Sequence, residues 1–110
     1  MSSFYAQYVK ERSNRSIIET DKGFVTYCYT APDTVYIEDI FVVPEFRKGH
    51  IAANMADLVV KEAKDKGCKT LLGSVVPSSN NSTISLKVLL AYGMKLVSSS
   101  NDFIVFSKEI

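Results

Sequence analysis

Residues 35–76 hold the feature that most constrains this chain: a strand-like run, a proline, a short cationic loop, an amphipathic helix and a second strand-like run, in that order. The helix is expected from about His50 to Lys66. Ile51, Met55, Leu58, Val59 and Ala63 form one apolar stripe along it. Asp57 with Lys61, Lys61 with Asp65, and Glu62 with Lys66 are opposite charges four apart on the wet side. Gly67 stops it as a C-terminal glycine. Residues 35–43 are rich in β-formers and end at Pro44, which cannot donate to a ladder. Residues 69–76 read as the second strand. A strand, a crossover helix and another strand make a βαβ unit, so these two strands should lie parallel.

The flanks fit a small mixed sheet around that unit. Residues 3–12 can form a short helix, with Phe4 and Tyr8 on one face. Residues 15–20 and 24–30 read as strands joined by a hairpin turn at Asp21-Lys22-Gly23. Ala31-Pro32-Asp33 turns the chain again. Ser82 or Thr83 can cap a second helix that runs to Tyr92 and ends at Gly93, with Ile84, Leu86, Leu89 and Leu90 on its buried side. Residues 94–98 and 103–106 read as a closing pair of strands. The expected order is α-β-β-β-α-β-α-β-β: an α/β fold (an α+β mixed sheet) with a central parallel pair and antiparallel flanks. Neither a linker nor a shift in composition interrupts residues 1–110, so one domain is expected. SVVPSSNNSTIS, residues 74–85, is short enough to be a loop.

At 110 residues and 46% hydrophobic, the chain can bury a core. A formal net charge of +1 argues against a nucleic-acid module built on a broad basic face. No run approaches the roughly 20 apolar residues of a membrane helix, and the first residues are too polar for a secretory signal. Cys28 and Cys68 form no CxxC pair and have no neighbouring histidine with which to share a metal. Both read as reduced core residues of a cytosolic protein. Tyr27, Tyr29, Tyr36 and Phe41 lie on central strands, and most of them read as core.

In open α/β sheets, ligands sit past the carboxyl ends of parallel strands. Here that place is residues 43–52. A helix N-terminus offers unpaired N–H groups and partial positive charge, Gly49 and Ala52 are small, and Arg47 and Lys48 add cations. A phosphate or pyrophosphate site and a plain strand-to-helix turn with solvated cations both fit this spacing.

IEDIFVVPEFRKGHIA resembles the signature region of the GNAT superfamily of acetyl-CoA-dependent N-acetyltransferases, in which a V-x-P-x-[YF]-R segment leads into R-x-x-G-x-[GA]. KEAKDKGCKTLLGSVVP and LLAYGMKLV are similar to later parts of that fold, so the resemblance covers about residues 3–108. The Glu38-Asp39 pair is similar to one in polyamine and glucosamine-phosphate acetyltransferases. Arg47, Ile51 and Ala52 match the pattern; Lys48 and His50 stand where glycines are usual, and Gly49 sits one place early. His50 has three readings: its backbone N–H serves the pyrophosphate while its ring turns aside, its ring adds a donor, or it blocks the site.

The resemblance implies direct acetyl transfer from acetyl-CoA (coenzyme A) to a primary amine, on a protein or a small molecule, in a ternary complex. The cofactor would lie along Ile40, Phe41 and Val42 and over Arg47, Lys48, Gly49, His50, Ile51 and Ala52, with a backbone N–H polarising the thioester carbonyl. Glu38 is the expected base, acting directly or through water. Asp39 beside it should point to the opposite strand face. The family's usual tyrosine position is Leu89, and Tyr92 should sit on another face, so the usual general acid is missing. The usual asparagine at that helix start aligns with Ser82, with Asn80 and Asn81 just before it. The usual first strand and helix are missing too, which implies an open acceptor groove that suits a protein side chain or terminus and that a homodimer would complete. The same departures fit an alternative, a catalytically weak domain that acts as a CoA-binding regulator or protein-interaction module.

Overall fold

A computed structural model of the chain describes Phe4, Gln7 and residues 15–47, 50–78 and 82–110. Strands β1 (Ser16–Thr20), β2 (Gly23–Ala31), β3 (Thr34–Val42), β4 (Thr70–Val75), β5 (Lys95–Ser100) and β6 (Phe103–Glu109) build one mixed sheet. Their spatial order is β1-β2-β3-β4-β6-β5. Among the described residues β3 and β4 pair in parallel and the other neighbours pair antiparallel. Helix α1 (Ile51–Asp65) makes the crossover between the parallel strands, and α2 (Ser82–Ala91) follows β4. The element order is the expected one from residue 15 onwards. The helix expected over residues 3–12 lies almost wholly outside the described residues.

The first hairpin is tighter than expected. Thr20 pairs with Gly23, leaving Asp21 and Lys22 as a two-residue loop, and the Thr20 hydroxyl accepts the Lys22 N–H at 3.1 Å. Gly23 has φ 156°, and a Cβ there would lie 1.8 Å from the Phe41 carbonyl oxygen. The backbone of β2 approaches β3 closely at this point because the residue has no side chain.

Alternation divides the sheet into two faces. Val25 and Tyr27 of β2, Val35 of β3 and Leu71 and Val75 of β4 point to one face, where they pack with Met55, Val59 and Ala63 of α1 and with Met94 and Phe106. Val59 and Leu71 have no exposed surface; full burial of such a side chain contributes about 1.5–3 kcal/mol. The stripe of α1 is displaced from the expected one. Leu58 is 44% exposed and Ala56 is buried in its stead, because the line through Met55, Val59 and Ala63 is centred on the side that Ala56 shares.

Polar contacts fix α1 onto β2. The Tyr27 and Tyr29 hydroxyls both donate to Glu62 Oε2, the latter at 3.3 Å. Lys66 Nζ lies 3.9 Å from Glu62 Oε1 and 4.7 Å above the Tyr29 ring. Of the three expected ion pairs along the helix, this is the one made among the described residues. Asp57 instead accepts the Tyr92 hydroxyl at 2.6 Å. Gly67, with φ 89°, ends the helix as expected. Cys28 and Cys68 are both free thiols. Cys68 is in the core, whereas Cys28 lies half-buried on the other face of the sheet.

Candidate active site

The site begins with a defect in β3. Thr26 pairs with Asp39 and Tyr27 with Ile37, which leaves Glu38 as an extra residue opposite β2. Such a bulge bends its strand and increases local twist. The parallel pairing of β3 with β4 runs from Thr34 and Thr70 to Ile37 and Gly73 and stops there. β3 continues to Val42, still paired with β2, and β4 to Val75, still paired with β6. Past the bulge the two strands part. The β3 edge that faces the gap, residues 38–42, has lost its ladder partner, and its alternate N–H and C=O groups are left to find another.

A small apolar cavity of about 30 Å³ sits at the fork. Ile37 and Ile40 line it from β3, Leu71, Leu72 and Gly73 from β4, Ala52, Ala53 and Ala56 from α1, and Val88, Leu89 and Tyr92 from the end of α2. The three alanines keep α1 low over the gap. Gly73 does the same for the floor: a Cβ there would come within 3.1 Å of Leu89 Cδ2 and 3.5 Å of Met94 Cε.

The bulge also corrects the expected orientation of the two acids. Ile37 and Ile40, three apart, both face α1, so the alternation slips by one between them. Glu38 bonds Arg15 at 2.9 Å and lies against Cys28; Asp39 pairs with Thr26, two residues from Cys28. Glu38 and Asp39 therefore share the face away from α1. Glu38 is mostly covered, with 18% of its side chain exposed, while Asp39 is exposed. On that face the Tyr36 and Ser74 hydroxyls hydrogen-bond across β3 and β4 at the fork. Phe41 stacks on Phe24 with ring centroids 5.5 Å apart and is 41% exposed rather than core. Burial, and then the charge and hydrogen bonding of Glu38, push the Cys28 thiol above its usual range.

Beyond Val42 the chain turns through a 3-10 turn, Pro44–Phe46. Arg47 is not a free cation at the helix mouth. Its Nε donates to the Val42 carbonyl at 2.8 Å, and its guanidinium lies 5.6 Å over the Phe41 ring. It thereby ties the loop to the end of β3. Lys48 and Gly49 lie outside the described residues. His50 is the exposed N-cap of α1; its side chain makes no capping bond and its carbonyl accepts the Asn54 N–H at 2.9 Å. The first N–H groups of α1, from Ile51 and Ala52 onward, have no partner within the helix. Ala52 lines the cavity, half-buried.

Residues 5–86 match the sequence profile of the Acetyltransferase (GNAT) family. The chain belongs to that family. The aminoglycoside N(6')-acetyltransferase type 1 of Salmonella typhimurium is 33% identical over 72 residues, which is 66% of this chain and 47% of that protein. The chain thus spans about half the length of the curated relatives it matches. The fold is also that of solved acetyltransferases. The paiA N-acetyltransferase of Thermoplasma acidophilum, solved with coenzyme A, superposes with a TM-score of 0.75 at 17% identity, over 93% of this chain and 66% of that one. A GNAT family acetyltransferase of Elizabethkingia anophelis, solved with acetyl-CoA bound, gives 0.72 at 17% identity, over 94% and 82%.

Within this GNAT domain the end of α2 departs from expectation. Leu89 and Tyr92 do not occupy different faces; three residues apart, they line the same cavity. The Tyr92 hydroxyl is held by Asp57, and Lys108 both donates to the Tyr92 carbonyl at 2.9 Å and lies 4.3 Å over its ring. Burial, then the Asp57 hydrogen bond and charge, push the phenol above its usual range. Sequence reasoning missed Tyr92 and Gly73 as lining residues and missed the bulge. The bulge did leave a signal: two consecutive acidic residues, Glu38-Asp39, inside a strand that is otherwise apolar and aromatic from Val35 to Val42.

Proposed function

We propose that the chain is an N-acetyltransferase that moves an acetyl group from acetyl-CoA to a primary amine by direct attack in a ternary complex. The observation that carries this reading is the parting of β3 and β4 past Ile37 and Gly73, just before the N-terminus of α1. The residues present suit a long thioester-bearing arm. The open backbone edge of Ile40, Phe41 and Val42 offers it strand-like hydrogen bonds, and Ala52, Ala53, Ala56 and Gly73 leave it room. The N–H groups at Ile51 and Ala52, with Lys48, Gly49 and the His50 backbone, suit a pyrophosphate. Arg47 serves by anchoring the loop.

Acetyl-CoA supplies an activated acyl carbon and a thiol leaving group. With it bound, a backbone N–H on the free β3 edge would polarise the thioester carbonyl, and Glu38 would take the proton of the acceptor ammonium, directly or through one water, freeing the amine to displace the CoA thiolate. A thiol of pKa about 8.5 leaves as thiolate without a dedicated acid, which fits a Tyr92 hydroxyl already committed to Asp57. Asp39, exposed on the same face as Glu38, adds negative potential where a cationic acceptor arrives.

The acceptor is an amine on a protein side chain or terminus, or on a small molecule; the aminoglycoside N-acetyltransferase relative favours trying the small-molecule class as well. The two free thiols fit a reducing compartment, and we place the protein in the cytosol. Among the described residues no helix is long and apolar enough to cross a membrane.

Release of free CoA thiol in the presence of an aminoglycoside or a lysine-bearing peptide tests the reading. Glu38→Gln should slow transfer about 100-fold or more, the lower end of general-base contributions, with acetyl-CoA affinity nearly unchanged. Equal rates in the two proteins would remove Glu38 as base. Cofactor binding with no turnover on any amine would favour the CoA-binding regulator.

A further inference from the structure

We propose that Arg15 is a resident competitor for the acceptor: its guanidinium occupies the place on Glu38 that the acceptor's ammonium group must take, so acceptor entry and release of Arg15 are one event. This rests on the reading of Glu38 as the acceptor-facing carboxylate.

Three observations carry it. First, Glu38 sits on the bulge and is turned to the face away from α1, where Cys28 flanks it and Asp39 follows it. Its remaining open side is met by Arg15 Nε at 2.9 Å, and 18% of its side chain stays exposed. The guanidinium thus holds Oε1, one of the two carboxylate oxygens that an incoming ammonium would seek. Second, Arg15 lies at the margin of the sheet. It stands immediately before β1, an edge strand, half of its side chain is exposed, and Glu38 is its one ion-pair partner among the described residues. Third, Asp39, exposed and carrying no ion pair among the described residues, keeps the neighbourhood negative after Arg15 leaves. A guanidinium and an alkylammonium are both hydrogen-bonding cations, and with its cation half exposed the pair can exchange one for the other. The device favours acceptors that bring positive charge and shields the carboxylate from neutral ones.

The test is titration of 1,4-diaminobutane into the wild type and the variants Arg15→Gln, Arg15→Lys and Glu38→Gln, read by calorimetry and by the ¹⁵N spectrum of the Arg15 Nε–H group. Loss of a weak ion pair should tighten diamine binding to Arg15→Gln by about two- to fivefold. Arg15→Lys, which keeps the cation, should stay close to wild type, and Glu38→Gln should lose the binding. In the wild type the Arg15 Nε–H signal should move in step with saturation. The same Arg15→Gln variant should lower KM for a cationic acceptor and leave kcat in place. Equal or weaker binding by Arg15→Gln, an Arg15 signal that stays still while diamine binds, or no diamine binding by any of the proteins would overturn the proposal. The base assignment fails separately: it falls if Glu38→Gln transfers acetyl at the wild-type rate, whatever Arg15→Gln does to the diamine.

Discussion

Glu38 and Asp39 decide at the scale of single residues where the sheet opens. One residue too many in β3 turns both acids to one face, brings Ile37 and Ile40 to the other, and ends the pairing with β4. Deleting one of the two acids would restore alternation and should close the fork. The Cys28 thiol reports on this corner. It lies above its usual range through burial first and the Glu38 carboxylate second, while Arg15 pulls it down. Glu38→Gln should therefore speed alkylation by iodoacetamide near neutral pH, and Arg15→Gln should slow it; rates that move in the reverse order would contradict the geometry. Gly23 carries a different constraint. Any side chain there meets the Phe41 carbonyl, so Gly23→Ala should cost about 2 kcal/mol or more, in the range of strained or overpacked backbone positions, measured as a shift in urea midpoint.

At the scale of elements, α1 is bolted to the sheet by packing below and by Glu62 above. Leu71→Ala should destabilise by about 2–5 kcal/mol. Glu62→Gln should cost about 1–2 kcal/mol, because two tyrosine hydroxyls lose a charged acceptor. This seam also sets a pH limit. Burial, then the charge and hydrogen bonding of Glu62, push the Tyr29 phenol up to about 12 from an ordinary 10.0, and Tyr27 is raised by the same causes. An acid raised in the folded state binds its proton more tightly there than in the unfolded chain. Its stabilisation is whole below pH 10 and is lost as pH rises through about 12. Urea melts at stepped pH should show that decline, shallower in Tyr29→Phe; a stability constant across the window would contradict it.

The elements themselves were legible in the sequence because they rest on local pattern. The α1 stripe, the Pro44 stop, Gly67 and the order of strands all follow from neighbours a few residues apart. What escaped was set by distant partners. The pattern places Leu58 in the stripe, but its exposure depends on which side of α1 meets the sheet. Spacing pairs Asp57 with Lys61, four residues on, whereas it bonds Tyr92, 35 residues on. The pattern offers Arg47 to a ligand, and its bond to the Val42 carbonyl depends on the path of the loop. The acids were given opposite faces by strict alternation, although their adjacency was itself the mark of the bulge.

At the scale of the whole molecule, the proposed cofactor site takes up a forked parallel pair, a helix N-terminus beyond it and a small apolar floor. The chain spans about half the length of its curated relatives. The proposed acceptor side is the face of β2 and β3 away from α1, where Arg15 and Glu38 pair and Asp39 follows. Gly73→Val places methyl groups against Leu89 and Met94, so it should cost the fold about 1–3 kcal/mol and, by filling the floor, weaken acetyl-CoA binding in the protein that remains folded.

The most direct measurement is calorimetric titration of the purified protein with acetyl-CoA. The fork and the helix mouth predict one site per chain with micromolar affinity, weakened by Gly73→Val and unaffected by Glu38→Gln. Absence of detectable heat at high micromolar protein, with the fold intact by circular dichroism, would contradict the account and would mean that the parted strands do not hold the cofactor.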